Sequence, residues 1–253
     1  MADKSAHIFE FALQMGDNCL VLGQQLSKWC GHAPALEEDI ATANTALDLI
    51  GQTKLWFQLA AEHSQEEIDP DKLAFLRDVR GFKNCLLVEQ PDDDFSYTLM
   101  RQFLFDAWHA PMLEQLQFST DTRIAEIAAK SVKEVRYHLE RSGDLVTRLG
   151  AGSAESHERM QTALNALWRF TAELTLGDPV SDALTEQGAM PALDAIKATH
   201  SETMQNILSA AALNIPEDAP MAKGGKQGLH SEAFGKMIAE MQWLQRAYPG
   251  AEW

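Results

Sequence analysis

The feature that most constrains this chain is a series of long segments in which apolar residues recur at alternating steps of three and four. The first segment, over about 7–29, carries such a row: Ile8, Ala12, Met15, Cys19, Leu22, Leu26 and Trp29. This spacing is typical of one face of an α-helix. The same pattern predicts long helices over about 35–62, 95–118 and 122–149, and shorter ones over about 155–176, 192–213 and 231–248.

Two apolar rows run along the second segment. One consists of Leu36, Ile40, Ala43, Leu47, Ile50 and Phe57, and the flanking one of Leu49, Trp56 and Leu59. A face this wide predicts a core helix.

Four long helices in two hairpins, joined by a connection over about 66–91, predict an all-α, ferritin-like four-helix bundle. Its core covers about 7–149, and the C-terminal helices over about 155–248 are expected to pack on it. With no shift in composition along the chain, the prediction is a single domain over 1–253.

Charge and cysteine content exclude several classes of function. A formal net charge of −16 disfavours nucleic acid and anionic membranes as partners, because both bind a concentrated positive surface. The three cysteines, Cys19, Cys30 and Cys85, contain no CxxC pair and do not suggest disulfides or a zinc site.

The first apolar stretch suggests neither a signal peptide nor a membrane span, because it is interrupted by Asp17, Asn18, Gln24 and Gln25. The expected location is therefore the cytoplasm.

A ferritin-like bundle can hold two irons if it supplies one Glu from each of two helices and a Glu-x-x-His pair from each of the other two. Here only His109 has a carboxylate three residues earlier, Asp106. Asp106 and His109 lie in the inward row of the third long helix, and His138 in that of the fourth. The favoured interpretation is that these buried polar groups satisfy one another, with His138 the first candidate partner of Asp106. A mononuclear or partial metal site, or the remnant of a lost one, stays open.

Two further features are ambiguous. The stretch KGGKQG over 223–228 could hold an anion through backbone amides, Lys223 and Lys226, although a mobile surface loop is the favoured interpretation. The aromatic-rich C-terminal segment either packs on the bundle or provides interface anchors.

Several longer runs carry a resemblance. They are GDNCLVLGQQLSKWCGHAP (16–34), LLVEQP (86–91), FDAWH (105–109), KEVRYHLERS (133–142), LWRFTAEL (167–174), GGKQGLH (224–230) and AEMQWLQR (239–246). Together, over about 9–253, they resemble the C subunits of the bacterial phenylacetyl-CoA epoxidases, the ring 1,2-epoxidases of aerobic phenylacetate degradation.

This resemblance implies a non-catalytic structural subunit of an NADPH-dependent oxygenase complex. It implies pairing with a catalytic A subunit that carries the di-iron site and binds the CoA thioester. A small B subunit, and transiently a reductase with FAD and a [2Fe–2S] cluster, are the other expected partners. Whether Lys223 or Lys226 contacts CoA is left open.

The resemblance also implies that the six di-iron ligand positions of the A subunit fall here on Cys19, Leu49, Gln52, Asp106, Val135 and His138. Only Asp106 and His138 keep the ligand's chemistry, so no metal-binding, cofactor-binding or catalytic residue is expected. The alternatives are a stand-alone mononuclear metalloenzyme using Asp106, His109 and His138, and a metal-free helical binding protein.

Overall fold

The computed structural model describes residues 2–92, 94–217 and 219–251. All regular structure in these ranges is helical, which confirms the all-α class. The nine α-helices found there are α1 Ala2–Ser27, α2 Leu36–His63, α3 Pro70–Phe75, α4 Phe95–Leu116, α5 Thr122–Gly150, α6 Ala154–Leu167, α7 Pro179–Glu186, α8 Leu193–Ala210 and α9 Glu232–Ala247. Within the described ranges, no helix is long and apolar enough to cross a membrane.

The chain divides into two compact units. The N-terminal unit consists of Met1–Pro91 and Gly224–Trp253, and the central unit of Asp92–Lys223. Each contains one of the two long hairpins that the ferritin-like fold requires, α1–α2 in the first and α4–α5 in the second. The prediction of a single domain over 1–253 stays a prediction.

In the N-terminal unit, α1 is enclosed: every residue from Phe11 to Gly23 is buried. The connection after α2 contains α3 and two short 3₁₀ turns, Val79–Gly81 and Leu86–Glu89, and it packs against α1, α2 and α9. The C-terminal helix therefore completes the unit that the N-terminal hairpin begins.

In the central unit, α6 and α8 pack against the α4–α5 hairpin. Side-chain caps fix where these helices start. Asp94 accepts hydrogen bonds from the backbone nitrogens of the first turn of α4, as Asp121 does for α5 and Ser153 for α6. The predicted start of the third long helix at Phe95 is confirmed.

The assignment of the apolar rows of α2 to the core was partly wrong. The flanking row of Leu49, Trp56 and Leu59 is buried, together with Phe57, whereas Leu36, Ile40, Leu47 and Ile50 are exposed. The other buried positions of α2 include Thr42, Thr45, Gln52 and Thr53. The face of α2 that packs against α1 therefore contains both apolar and polar residues, and the row of Leu36, Ile40, Leu47 and Ile50 is left on the surface.

The segment over about 155–176 was predicted as one helix, but α6 ends at Leu167 and two short 3₁₀ turns follow. The aromatic and β-branched residues Trp168, Phe170 and Thr171 are poor helix formers, and the Thr171 hydroxyl donates to the Trp168 carbonyl oxygen at 2.8 Å. The short helix α7 was missed, although its Asp178 and Ser181 form a capping box around Pro179.

Candidate functional site

Asp106 is the most unusual side chain of the central unit, because its carboxyl group is completely buried on α4. Each of its oxygens has a donor: Gln102 Nε2 lies 2.6 Å from Oδ1, and Ser142 Oγ of α5 lies 2.8 Å from Oδ2. The expectation that His138 would be its partner was therefore wrong. Gln102 precedes Asp106 by one helical turn, a spacing that could have identified it.

Burial raises the pKa of Asp106 to about 8, against the opposing hydrogen bonds from Ser142 and Gln102 and the charge of Arg141. The group is therefore a neutral acid at pH 7. Ser142 Oγ also lies 3.4 Å from the Leu139 carbonyl oxygen. The hydroxyl can therefore accept a hydrogen bond from the protonated carboxyl group while it donates one to that carbonyl oxygen. Asp106, Gln102 and Ser142 form a buried hydrogen-bonded group.

His109 lies one turn beyond Asp106 and is also completely buried. Within the described residues neither of its ring nitrogens has a hydrogen-bond partner, and its ring packs on Phe105 with 4.8 Å between centroids. Burial, with a contribution from His138, lowers the pKa of His109 to about 3, so the imidazole is neutral. His109 therefore acts as an apolar core residue.

His138 is buried on α5, one turn after the buried Val135. Across the described ranges, no three His, Cys, Asp or Glu side chains form a group suited to a metal ion, and this includes Asp106, His109 and His138.

The corresponding positions of the N-terminal unit lie on α1 and α2. Cys19 Sγ is 3.9 Å from Gln52 Oε1, and both residues are buried. Burial raises the pKa of the Cys19 thiol far above its ordinary value, so it is not a thiolate. Leu49, one turn before Gln52, is completely buried.

These six positions do not fit a di-iron centre. Leu49 and Val135 have no donor atom, Cys19 is a neutral thiol in contact with Gln52, and Asp106 is hydrogen-bonded to Gln102 and Ser142. That the chain holds no metal remains a prediction.

Sequence reasoning missed a second buried polar group, which lies in the N-terminal unit. Asp17, predicted only as an interruption of the first apolar stretch, is buried on α1 and pairs with the Arg77 guanidinium. It also accepts a hydrogen bond of 2.7 Å from the Lys83 backbone nitrogen. Asn18 Oδ1 accepts a hydrogen bond from the Cys85 nitrogen at 2.8 Å. Two adjacent polar residues of α1 thus hold the connection that follows α2.

The same connection is tied to the C-terminal segment. The Glu89 carboxylate accepts from the Ser231 nitrogen at 2.6 Å and from Asn84 Nδ2 at 3.0 Å, and it lies 2.7 Å from His230 Nδ1. Further along α9, Gln242 Nε2 donates to the Ala74 and Arg77 carbonyl oxygens, both at 3.0 Å. Runs of sequence that lie far apart in the chain therefore meet in one buried polar network.

The favoured interpretation of 223–228 as a mobile surface loop was wrong. Gly224, Gly225 and Gly228 are buried, and a Cβ atom on Gly225 or Gly228 would collide with the Asn84 or Arg80 carbonyl oxygen. The glycines permit close approach of two backbones rather than mobility. In the aromatic C-terminal segment, EMQWLQRAYPGAEW over 240–253, Trp243 and Tyr248 are exposed rather than packed in the core, and Trp253 lies outside the described residues. That they are interface anchors stays a prediction.

The fold and these side chains define an all-α, ferritin-like chain whose candidate ligand positions include two buried aliphatic residues, a buried thiol in contact with Gln52, and a carboxyl group bonded to Gln102 and Ser142. A family model described as "Phenylacetic acid catabolic protein" matches residues 1–253, and the chain belongs to this family. The chain is also 47% identical over 243 residues to the C subunit of 1,2-phenylacetyl-CoA epoxidase from Escherichia coli (strain K12), an alignment that covers 96% of this chain and 98% of the relative. The resemblance inferred from the sequence is confirmed.

Proposed function

We propose that this chain is a non-catalytic structural subunit of a phenylacetyl-CoA 1,2-epoxidase and that it pairs with the di-iron catalytic A subunit. The observation that carries the proposal is that two of the six positions, Leu49 and Val135, are buried aliphatic side chains. An iron ligand must offer a lone pair, and neither of these side chains has an atom that can supply one. At a third position, Asp106 is hydrogen-bonded to Gln102 and Ser142.

Similarity supports the subunit assignment. The relative's name makes it one subunit of an epoxidase, and the alignment spans nearly the whole of both chains. The proposed complex then needs its di-iron site in the A subunit, and FAD, the [2Fe–2S] cluster and NADPH with the reductase. The B subunit completes the assembly, which we place in the cytoplasm.

A physical reason for such a partner exists. A metal site inside a bundle introduces buried carboxylates that weaken the core of the catalytic chain. A partner chain without a metal site can restore stability through a large interface, because obligate interfaces bury thousands of Å².

The test compares two complexes reconstituted with the A subunit, the B subunit and the reductase. In one, this chain carries Asp106→Asn, which keeps the shape of the side chain, with His138→Gln, which replaces the imidazole by an uncharged polar amide. In the other, one iron ligand of the A subunit is replaced by the corresponding amide. We expect epoxide formation from phenylacetyl-CoA, NADPH and O₂ to stay within about twofold in the first complex, whereas the second should lose turnover.

Two outcomes contradict the proposal. One is loss of turnover by the Asp106→Asn, His138→Gln complex despite normal assembly. The other is an iron content near one or two atoms in this chain, purified alone from iron-replete cells. One atom per chain favours the mononuclear metalloenzyme that uses Asp106, His109 and His138, whereas two atoms would mean that other residues complete a di-iron site. Failure to bind the A subunit at all favours a binding protein outside the epoxidase.

A further inference from the structure

An apolar row lies on the outer face of α2, where the sequence pattern had placed core residues. Its four members, here called the α2 row, are Leu36, Ile40, Leu47 and Ile50, which are 70%, 53%, 66% and 37% exposed. Isolated exposed aliphatic residues are ordinary on a protein surface. Four along one helix face form a continuous surface, which is typical of interaction sites.

The geometry of the α2 row fits another helix. With Ala43 filling the gap, its members follow steps of 4, 3, 4 and 3 residues, the spacing of the contact line between two packed helices. At 1.5 Å per residue the row is about 21 Å long, or about four turns of a partner helix.

The charges that α2 carries over the length of the row select the kind of partner. Between Leu36 and Thr53, α2 has four acidic residues, Glu37, Glu38, Asp39 and Asp48, and no Lys or Arg; the first basic residue is Lys54. A parallel pairing of two copies would place acidic residues against acidic residues. An antiparallel pairing would offer one Lys54 to the three acids of the facing first turn, between chains of net charge −16 each. Both arrangements disfavour a second copy of this chain.

We propose that the α2 row is the docking surface for an amphipathic helix of the catalytic epoxidase subunit. That helix has an apolar row with matching spacing and Lys or Arg residues along its edges. This inference rests on the proposed function, because it assigns a surface to the pairing proposed there.

The decisive variant is Leu47→Glu in the full-length chain. Glu is a good helix former and position 47 is exposed, so α2 is expected to remain folded. The substitution places a charge in the centre of the proposed contact. We expect affinity for the catalytic subunit, measured by biolayer interferometry, to fall at least about tenfold. The matched control is Phe118→Glu, at an 81% exposed position of the central unit, and it should leave the affinity unchanged.

A charge reversal tests the electrostatic part. Glu37→Lys should slow association with the catalytic subunit and weaken its dependence on ionic strength, because one attractive acidic group becomes repulsive. Circular dichroism of each variant shows whether helix content is kept.

The outcomes separate this inference from the proposed function. If wild type binds the catalytic subunit and Leu47→Glu binds equally well, the docking surface is elsewhere and only the present inference fails; equal weakening by Phe118→Glu also overturns it. If wild type does not bind, the proposed function itself fails. A dimer of this chain that Leu47→Glu dissociates, while the hetero-complex keeps its affinity, would make a second copy the occupant and overturn the inference.

Discussion

The imidazole of His230 lies between two oxygen acceptors, with Nδ1 2.7 Å from Glu89 Oε2 and Nε2 3.0 Å from the Phe82 carbonyl oxygen. A carbonyl oxygen can only accept, so Nε2 must carry a proton. A further proton must lie between Nδ1 and Glu89, and both side chains are completely buried. His230 thus links the connection after α2 to the start of α9.

Removing this imidazole should destabilise the chain. His230→Phe leaves the Glu89 carboxylate buried with one donor fewer, and we expect the free energy of unfolding to fall by about 3 kcal/mol in urea titrations. Lys236→Ala, which removes the exposed pair between Lys236 and Glu232 on the same segment, is the control and should cause no measurable change. Equal effects of the two substitutions would show that the buried pair adds nothing to stability.

Asp106 should give the protein an unusual dependence on pH. Its pKa is about 8 in the folded chain but about 3.9 in an unfolded one. Between these values the folded state binds more protons than the unfolded state. The stability from neutral Asp106 is therefore fully present below about pH 4 and is lost as the pH rises toward 8, by up to about 1.4 kcal/mol per pH unit.

Asp106→Asn isolates this effect, because an amide keeps the shape and does not titrate. Urea unfolding of wild type and variant at pH 5, 6, 7 and 8 should show the variant gaining stability relative to wild type as the pH rises. Parallel profiles would mean that Asp106 is ionised in the folded protein.

His109 should make the stability of the folded chain change with pH in the opposite direction. Its pKa is about 3 when folded and about 6.5 when unfolded, so the unfolded state binds more protons between these values and stability falls as the pH drops below 6.5. His109→Leu removes two ring nitrogens that have no hydrogen-bond partner within the described residues. We expect the variant to be at least as stable as wild type at pH 7 and increasingly more stable toward pH 4.5. Thermal unfolding across this range measures it, and a variant clearly less stable at pH 7 would assign His109 an interaction that the fold does not explain.

Three glycines allow two costs of a Gly→Ala substitution to be measured separately, namely the collision of the added Cβ atom and the strain of a positive φ. Gly228 has both a φ of +78° and a carbonyl oxygen where a Cβ would lie, Gly225 has only the contact, and Gly31 has a φ of +83° with open space around it. Gly31→Ala should cost about 1 kcal/mol, and Gly225→Ala and Gly228→Ala more than that, with Gly228→Ala the largest. Urea titrations give the order. Equal costs at Gly31 and Gly228 would mean that the loop moves aside to admit a methyl group.

The sequence predicted the helices well because periodicity and capping are local signals. The ends of α2, α4 and α5 lie within two residues of their predictions, and the irregular connection was expected. The orientation of α2 was harder, because Leu49 and Leu47 are equally apolar and only packing against α1 decides which is buried.

The polar groups were predicted less well, because their partners come from distant parts of the chain. That Asp106 and His138 are buried followed from their rows, but the donor from Ser142 depends on the register of α5 against α4. Asp17 was predicted only to interrupt an apolar stretch, and neither its pairing with Arg77 nor the burial of Gly225 has a local signal.

The return of the C-terminal segment to the N-terminal unit sets an order of events during synthesis. Glu89 emerges from the ribosome 141 residues before the His230 that completes its surroundings, and the whole central unit is translated in between. The connection after α2 must therefore wait with the Glu89 carboxyl group still lacking His230 and the Ser231 nitrogen, while the central unit already has all of its residues. A truncation of α9 should therefore destabilise the N-terminal hairpin before it affects the central unit. In such a truncated chain, proteases should cut α1 and α2 before they cut α4 and α5.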